Sequence, residues 1–394
     1  MKNTIDSRRC FICGGDSLDV VFEAPELPLT GIYLPKNNSE FLPSFDQEFI
    51  FCQYCGHGQL RHLIPPSILY DDTYMHRTST SPMAKMGNNF FYGQLLKITR
   101  GKKFSTLLEV GCNDLYLLQK VQSLAENKIG IDPIWIGRDH ELNSSTKVLG
   151  RFIEQIDIKT DVGLEVDLVI SAHTFEHIHD FYGNLSILVD LVADDCLFVI
   201  EVPSFDSMVK QQRFDQVFHQ HIQYTSLSSM RYLVARLGCS FLGHTFNYGL
   251  FGGTLLFWFK KNDENLDQGL EGFELQNLDN IKKRFLDFKF TIQTALNQAS
   301  DLKESCYGFG GAQMLPILAY HMGSKLEFME AILDDNIERN GKYLPNILPE
   351  IRLPVEGEIE HSIVMITALD STRQILQRLL SLNPRRIINP MLSF

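Results

Sequence analysis

The stretch Thr106–Leu118, "TLLEVGCNDLYLL", is an apolar run that ends in Glu109-Val110-Gly111-Cys112-Asn113-Asp114 and then continues as a helix. A buried strand, a glycine turn and a helix form the opening unit of a doubly wound α/β sheet. "KIGIDP", residues 128–133, supplies the next strand and closes it with Asp132, 23 residues after Glu109. In such sheets a ligand binds beyond the carboxyl ends of the strands, near the point where the strand order reverses. Gly111 lets backbone approach that ligand, and an acid closing the second strand can accept hydrogen bonds from ribose hydroxyls. A nicotinamide-binding fold would show GxGxxG at this turn, and this chain does not.

Strands and helices alternate along the chain. Residues 83–100 read as a helix; "VDLVISA", a helix near 182–193 and "CLFVIEV" extend the sheet. "ISAHTFEHI" puts His173 through His177 at a strand end, where adenine or substrate would be met; a packed or helix-capping role for His177 is an equal reading. The run "LQNLDNIKKRFLDFKFTIQTALNQASDL" has helical period without Pro or Gly, a long helix able to bridge domains. A second α/β unit follows: "SCYGFGG", a helix from about 311, "LEFMEAILDD", "HSIVMITA", a helix from Ser371 and "RRIIN". The expected division is into residues 1–75, 76–300 and 301–394.

The first unit carries Cys10-x-x-Cys13 and Cys52-x-x-Cys55, two knuckles 38 residues apart. A CxxC turn points both thiolates at one ion, and two turns complete a tetrahedron. Four soft anionic ligands favour Zn(II), and a closed shell leaves no open position, so the expected zinc is structural. A redox dithiol is the competing reading; His57 and His62 are superfluous to a full shell.

At 394 residues the chain exceeds one ordinary core, and 44% apolar with 21% charged residues describes a soluble globular protein. A net charge of −12 argues against nucleic-acid and anionic-membrane partners. No run approaches the roughly 20 apolar residues of a membrane span, and "MKNTIDSRRC" has no apolar h-region. A cytoplasmic location is the expectation, with reduced or metal-bound cysteines.

With Glu109, Gly111, Asn113 and Asp132 in place, the central unit resembles the cofactor site of class I S-adenosylmethionine-dependent methyltransferases, although Leu115 stands where that motif usually has a second glycine. The paired knuckles, "YMHRTSTSP", "LLEVGCND", "HTFEHI", "FDQVFHQHIQYTS", "GLFGGTLL", "YGFGGAQ" and "LDDNIERNGKYLPN" together resemble the nucleotide-sugar C-methyltransferases, over nearly the whole chain. The resemblance implies a class I Rossmann-like core between a small zinc-binding domain and a second, C-terminal Rossmann-like α/β domain that helps hold a nucleotide sugar. It implies S-adenosylmethionine at Glu109, Gly111, Asn113, Asp132 and His173, and substrate contacts at His177. Gly308, Gly310 and Gly311 would form a phosphate-facing turn, with a plain structural turn as the alternative.

The family's segment of the form Tyr-x-Glu-His, which faces the sugar and serves its deprotonation, is here Phe218, His219, Gln220 and His221. Only His221 is retained, and an amide such as Gln220 is no base near neutral pH. His76 stands for the family's tyrosine, and Phe251 for its histidine. The cofactor set is kept while the proton-transfer set is rewritten, which points to transfer onto a sugar oxygen or nitrogen. His221, His76 and Gln220 are the expected catalytic positions, with His219 a possible helper to His221. C-methylation beside a ketone and a non-catalytic nucleotide-sugar binder are the alternatives. A metal site of His219, His221 and His173 ranks last, since residues two apart share a face only in a strand; His219 reads as solvent-exposed.

Overall fold

The computed structural model describes residues 5–35, 42–69, 78–261, 276–301 and 304–391. The N-terminal unit contains β1 (Ile5–Asp6), β2 (Leu18–Pro28), β3 (Ser44–Cys52), β4 (Gly58–Leu60), β5 (His62–Leu63) and the single turn α1 (Pro66–Leu69). β2, β3 and β4 form an antiparallel sheet, and β1 pairs with β5. The knuckles meet at one end of this sheet: the Sγ atoms of Cys10 and Cys55 are 3.5 Å apart, and those of Cys13 and Cys52 3.6 Å. Four thiolates about 2.3 Å from zinc lie about 3.8 Å from one another along a tetrahedron's edges. The four sulfurs therefore already fit a zinc ion with no further ligand.

The central unit begins with α2 (Pro82–Thr99). Ser81 caps it by accepting from the Ala84 amide, Pro82 starts it, and Arg100 in the left-handed region (φ 50°) ends it. β6 (Phe104–Val110), α3 (Tyr116–Lys120), β7 (Ala125–Ile131), β8 (His140–Asn143), β9 (Thr146–Leu149) and β10 (Leu168–Ala172) come next. α4 (Phe181–Leu191), β11 (Leu197–Pro203), α5 (Phe205–Lys210), β12 (Gln223–Tyr224), α6 (Leu227–Arg236), β13 (Cys239–Asn247) and β14 (Thr254–Lys261) complete it. Eight of these strands make one sheet in the order β13-β14-β11-β10-β6-β7-β9-β8. From β9 to β11 neighbours run parallel, whereas β14 is antiparallel to both β11 and β13. Thr106 through Val110 are all buried, as a central parallel strand covered on both faces requires. The order reverses between β6 and β10, so the carboxyl ends of those strands open the binding crevice.

α7 (Leu278–Ser300) leads into the last unit: β15 (Cys306–Phe309), α8 (Leu315–Met322), β16 (Ile332–Leu333), β17 (Ile351–Arg352), β18 (Ile363–Ile366), α9 (Thr372–Leu382) and β19 (Arg386–Ile388). Its sheet is wholly parallel, in the order β17-β16-β15-β18-β19. This is the second Rossmann-like layer.

The units are not independent. β12, from the central unit, is the edge strand of the N-terminal sheet, pairing Gln223 with Gln59 and Tyr224 with Gly58. Phe49, Phe205, Phe288 and Ile317 belong to a single core that crosses all three units. Burying each such side chain contributes roughly 1.5–3 kcal/mol, so that core couples their stabilities. The knuckles also rest on α6, where Ser228 donates to the Cys55 carbonyl at 3.2 Å and Arg236 to that of Ile12.

Two expectations need correction. The helix expected from Asp114 is the short α3, which starts only after Leu115 takes a left-handed φ of 70°. The strand expected in "LEFMEAILDD" shrinks to β16, with Leu326 at a φ of 57° breaking extension before it. The β8–β9 hairpin at the sheet edge was not foreseen; its β8 residues are all exposed and give no apolar alternation to read. Among the described residues no helix is long and apolar enough to cross a membrane.

The four-sulfur site carries a direct prediction. Protein passed over a chelating resin should retain one zinc per chain, and Cys52→Ser should lose it and melt the N-terminal sheet, because metal binding supplies much of a small domain's folding free energy. Metal analysis with circular dichroism measures both; a zinc-free protein of unchanged stability would contradict the assignment.

Candidate active site

At the end of β6 the backbone turns sharply. Gly111 has a φ of +79°, and a Cβ there would fall 1.9 Å from Thr174 Oγ1, so only glycine fits. Asn113 donates its amide to Asp132 Oδ2 at 2.8 Å, and Ile134 donates to Oδ1 at 2.9 Å. Trp135 Nε1 donates to the Asn113 carbonyl at 2.7 Å. The two strand ends are thereby locked together. From above, Thr78 donates to Asn113 Oδ1 and Ser79 to Asp114 Oδ2, at 3.2 and 2.8 Å.

This turn concentrates negative charge. Glu109 is 2% exposed, and its Oε2 and the Oδ1 of Asp114 are buried without a hydrogen bond among the described residues. Burial, reinforced by Asp132 and Asp114, pushes the Glu109 carboxyl well above the usual carboxylate range. Two orphaned carboxylate oxygens beside a third acid suit a ligand that brings positive charge. S-adenosylmethionine carries an ammonium and a sulfonium, so Glu109, Gly111, Asn113 and Asp132 fit it.

Beside the turn, His173 follows the last residue of β10 in the left-handed region (φ 55°), its amide donating to the Glu201 carbonyl at 2.9 Å. The loop after it is tied to the segment before β12. Ile222 donates to the Glu176 carbonyl at 3.0 Å, His177 Nδ1 is 2.8 Å from the Gln220 carbonyl, and the Gln223 amide reaches the carbonyls of Ile178 and His179. This brings His177 and His221 together, ring centroids 4.9 Å apart, around Glu176. Burial opposes charge on Glu176, yet His173, His177 and His221 hold its pKa below the usual value. Burial likewise opposes charge on His173, but Glu176 and Glu201 hold it above the usual value. Burial and then His177 push His221 down to about 3, so it is neutral at physiological pH and a weak proton acceptor.

Glu176 is the member that sequence reasoning passed over. Its place between His173 and His177 in "HTFEHI" was in view, but nothing in the sequence says that its oxygens are buried. His219 is a correction: it is 1% exposed, with Nε2 3.0 Å from the Leu27 carbonyl and its ring against Phe45. It fastens the segment to the N-terminal sheet, so His219, His221 and His173 do not gather. Gln220 is also fastened, its amide donating to the Thr30 carbonyl at 3.2 Å and accepting from Thr30 Oγ1 at 3.1 Å. Phe218 packs on His221 at 4.2 Å, and Phe251 on His173 at 5.1 Å. His76 lies outside the described residues.

In the last unit, Gly308, Gly310 and Gly311 face their own domain. A Cβ on Gly310 would lie 2.3 Å from that of Ala368, and one on Gly308 or Gly311 would strike Ile332 or Ile351. The Gly311 amide donates to Asp334 Oδ2 at 2.7 Å, where a phosphate would have to displace a carboxylate. Packing accounts for these glycines. A cleft of about 640 Å³ does open between the units, lined by Met86 and Phe90, by Asn247 and Leu250 and by Asp370 and Arg373.

Family models match the first two units. A methyltransferase domain model matches residues 90–242, and a putative zinc binding domain model matches residues 10–70. The C-methyltransferase NovU of Streptomyces niveus is 29% identical over 229 residues, 56% of this chain and 53% of NovU. The chain thus spans about half the length of that curated relative. Among solved structures, the N-methyltransferase NodS from Bradyrhizobium japonicum with S-adenosyl-L-homocysteine is 17% identical, covering 50% of this chain and 94% of NodS with a TM-score of 0.37. The 1,6-didemethyltoxoflavin-N1-methyltransferase of Burkholderia thailandensis is 12% identical, covering 47% of this chain and 80% of its own with a TM-score of 0.35. The central unit is a class I S-adenosylmethionine-dependent methyltransferase domain. The chain couples it to an N-terminal zinc-binding domain and a C-terminal Rossmann-like one.

Asp132 locks the turn and closes the second strand, so Asp132→Ala should weaken S-adenosylmethionine binding by about 1.5–3 kcal/mol, roughly 10–150-fold in Kd. Calorimetry on folded variant protein checks this, and an unchanged Kd would move the cofactor elsewhere.

Proposed function

We propose that the protein transfers the methyl group of S-adenosylmethionine to an oxygen or nitrogen of a nucleotide-linked sugar or a related carbohydrate intermediate. The observation that carries this is the tying of the Glu176–His177 loop to the segment that bears His221, beside the strand ends that hold Glu109 and Asp132. S-adenosylmethionine supplies an electrophilic methyl group. Glu109, Gly111, Asn113 and Asp132 hold the donor, while His177 and His221 orient the acceptor and Glu176 draws off its proton. Glu176 is the anion of that set. A hydroxyl or amine acceptor needs only mild base help, which suits a set whose His221 is neutral. The 640 Å³ cleft, with the cation of Arg373 on its wall, is large enough for an acceptor bearing an anionic appendage.

C-methylation of a keto-sugar nucleotide is the second reading. Glu176 returns a carboxylate to the neighbourhood of His221, where Gln220 had removed one, and NovU is a C-methyltransferase.

Incubation with labelled S-adenosylmethionine and a panel of nucleotide sugars, followed by NMR of the product, discriminates the readings. A methyl on oxygen or nitrogen supports the first and a methyl on carbon the second. Turnover of no carbohydrate acceptor would overturn both. His221→Ala should lower turnover by roughly 10²–10⁴-fold with little change in cofactor affinity, and a wild-type rate would remove His221 from the mechanism. Gln220→Glu should not raise the rate, because a carboxylate there would face the Thr30 carbonyl.

A further inference from the structure

Glu176, His177 and His221 each offer one ligand atom, and these atoms all lie within 4.8 Å of one another. Glu176 is 1% exposed, and both its oxygens are buried without a hydrogen bond among the described residues. Its Oε1 lies 3.4 Å from His173 Nδ1 and 4.0 Å from His177 Nε2, ion-pair distances without hydrogen-bond alignment. Burying an ionised carboxylate this way costs several kcal/mol unless an opposite charge offsets it. Histidines stand within ion-pair distance of these oxygens, yet among the described residues none hydrogen-bonds them, which leaves both free to ligate a cation.

The histidines are placed to share such a cation. His177 Nδ1 donates to the Gln220 carbonyl at 2.8 Å, and Nε2 is the ring atom that lies 4.0 Å from Glu176 Oε1. A backbone carbonyl on the far nitrogen is what orients and fixes the tautomer of a metal-ligating histidine. His221 stands against the same ring, held by the turn from its amide to the Phe218 carbonyl at 3.1 Å and by the Ile222–Glu176 hydrogen bond. Both histidines are part-exposed while Glu176 is buried, so the cluster has one open side.

We propose that Glu176, His177 and His221 bind a divalent transition-metal cation, separate from the four-cysteine zinc. Two imidazoles and one carboxylate suit zinc, iron, cobalt or manganese and leave positions open for an oxygen ligand. An acceptor hydroxyl or carbonyl oxygen in such a position would be polarised, in place of the base set that Phe218 and Gln220 lack. That role rests on the proposed methyl transfer; binding of the ion does not.

The test uses the full chain after a chelating resin has left only the cysteine-bound zinc. Co(II) titration should add one ion per chain, with the weak visible absorption of nitrogen and oxygen ligation and no thiolate charge-transfer band. Glu176→Gln and His221→Asn, each checked for folding by circular dichroism, should weaken this uptake by at least about tenfold. Wild-type protein that takes up no second ion at millimolar Co(II) or Mn(II) would overturn the proposal and leave a proton as the partner of Glu176. Unchanged uptake in both variants would overturn it as well. Neither donor nor acceptor is present in the titration, so a bound ion without methyl transfer would sink only the proposed function. Full methyl transfer by the single-zinc protein would sink only the ion's role.

Discussion

Four hydrogen bonds to backbone carbonyls tie the loop after β10 to the segment before β12: Ile222 to Glu176, His177 to Gln220, and Gln223 to both Ile178 and His179. Each contributes only about 0.5–1.5 kcal/mol net, but together they decide where Glu176, His177 and His221 stand. Their anchor lies outside the methyltransferase sheet. β12 pairs with β4, and β4 follows the Cys52–Cys55 turn, so the knuckle and the candidate catalytic loop share one sheet. His219 and Gln220 add contacts to Leu27 and Thr30. The zinc-binding unit, though far from any chemistry of its own, thus sets the register of the loop that carries His221.

Charge follows the same geometry. At the ends of β6 and β7, Glu109, Asp114 and Asp132 crowd together, and among the described residues one oxygen of Glu109 and one of Asp114 lack a hydrogen bond, an arrangement that favours a cation. Nearby, Glu176 and Glu201 are buried at the ends of β10 and β11, where among the described residues histidines and Thr254 meet them. The site is therefore preorganised for positive charge, at the cofactor on one side and at the Glu176 cluster on the other.

The sheet was legible in the sequence because its information is local. "TLLEVGCND" and "KIGIDP" carry burial, the glycine turn and the closing acid within a few residues each, and β6, β7 and Asp132 fall where they imply. The thiol quartet was legible for the same reason, since CxxC spacing fixes each pair. The candidate site was harder to see, because it depends on contacts between segments 40 or more residues apart, such as His177 with Gln220. His219, polar and next to the conspicuous His221, reads as exposed, yet the Leu27 carbonyl on β2 buries it. Glu176 looks like an ordinary surface acid until Ile222 closes over its backbone. The glycines of "YGFGGAQ" read as a phosphate-facing or a structural turn by sequence, and Ile332, Ala368, Ile351 and Asp334 meet them by packing or hydrogen bonding.

A crystal structure of the chain with S-adenosyl-L-homocysteine tests the central claim most directly. The ribose is expected at Asp132, the amino group near Glu109, and the sulfur opening towards Glu176, His177 and His221. A ligand whose sulfur faces away from that cluster, or whose binding separates the Glu176 loop from the His221 segment, would contradict that claim.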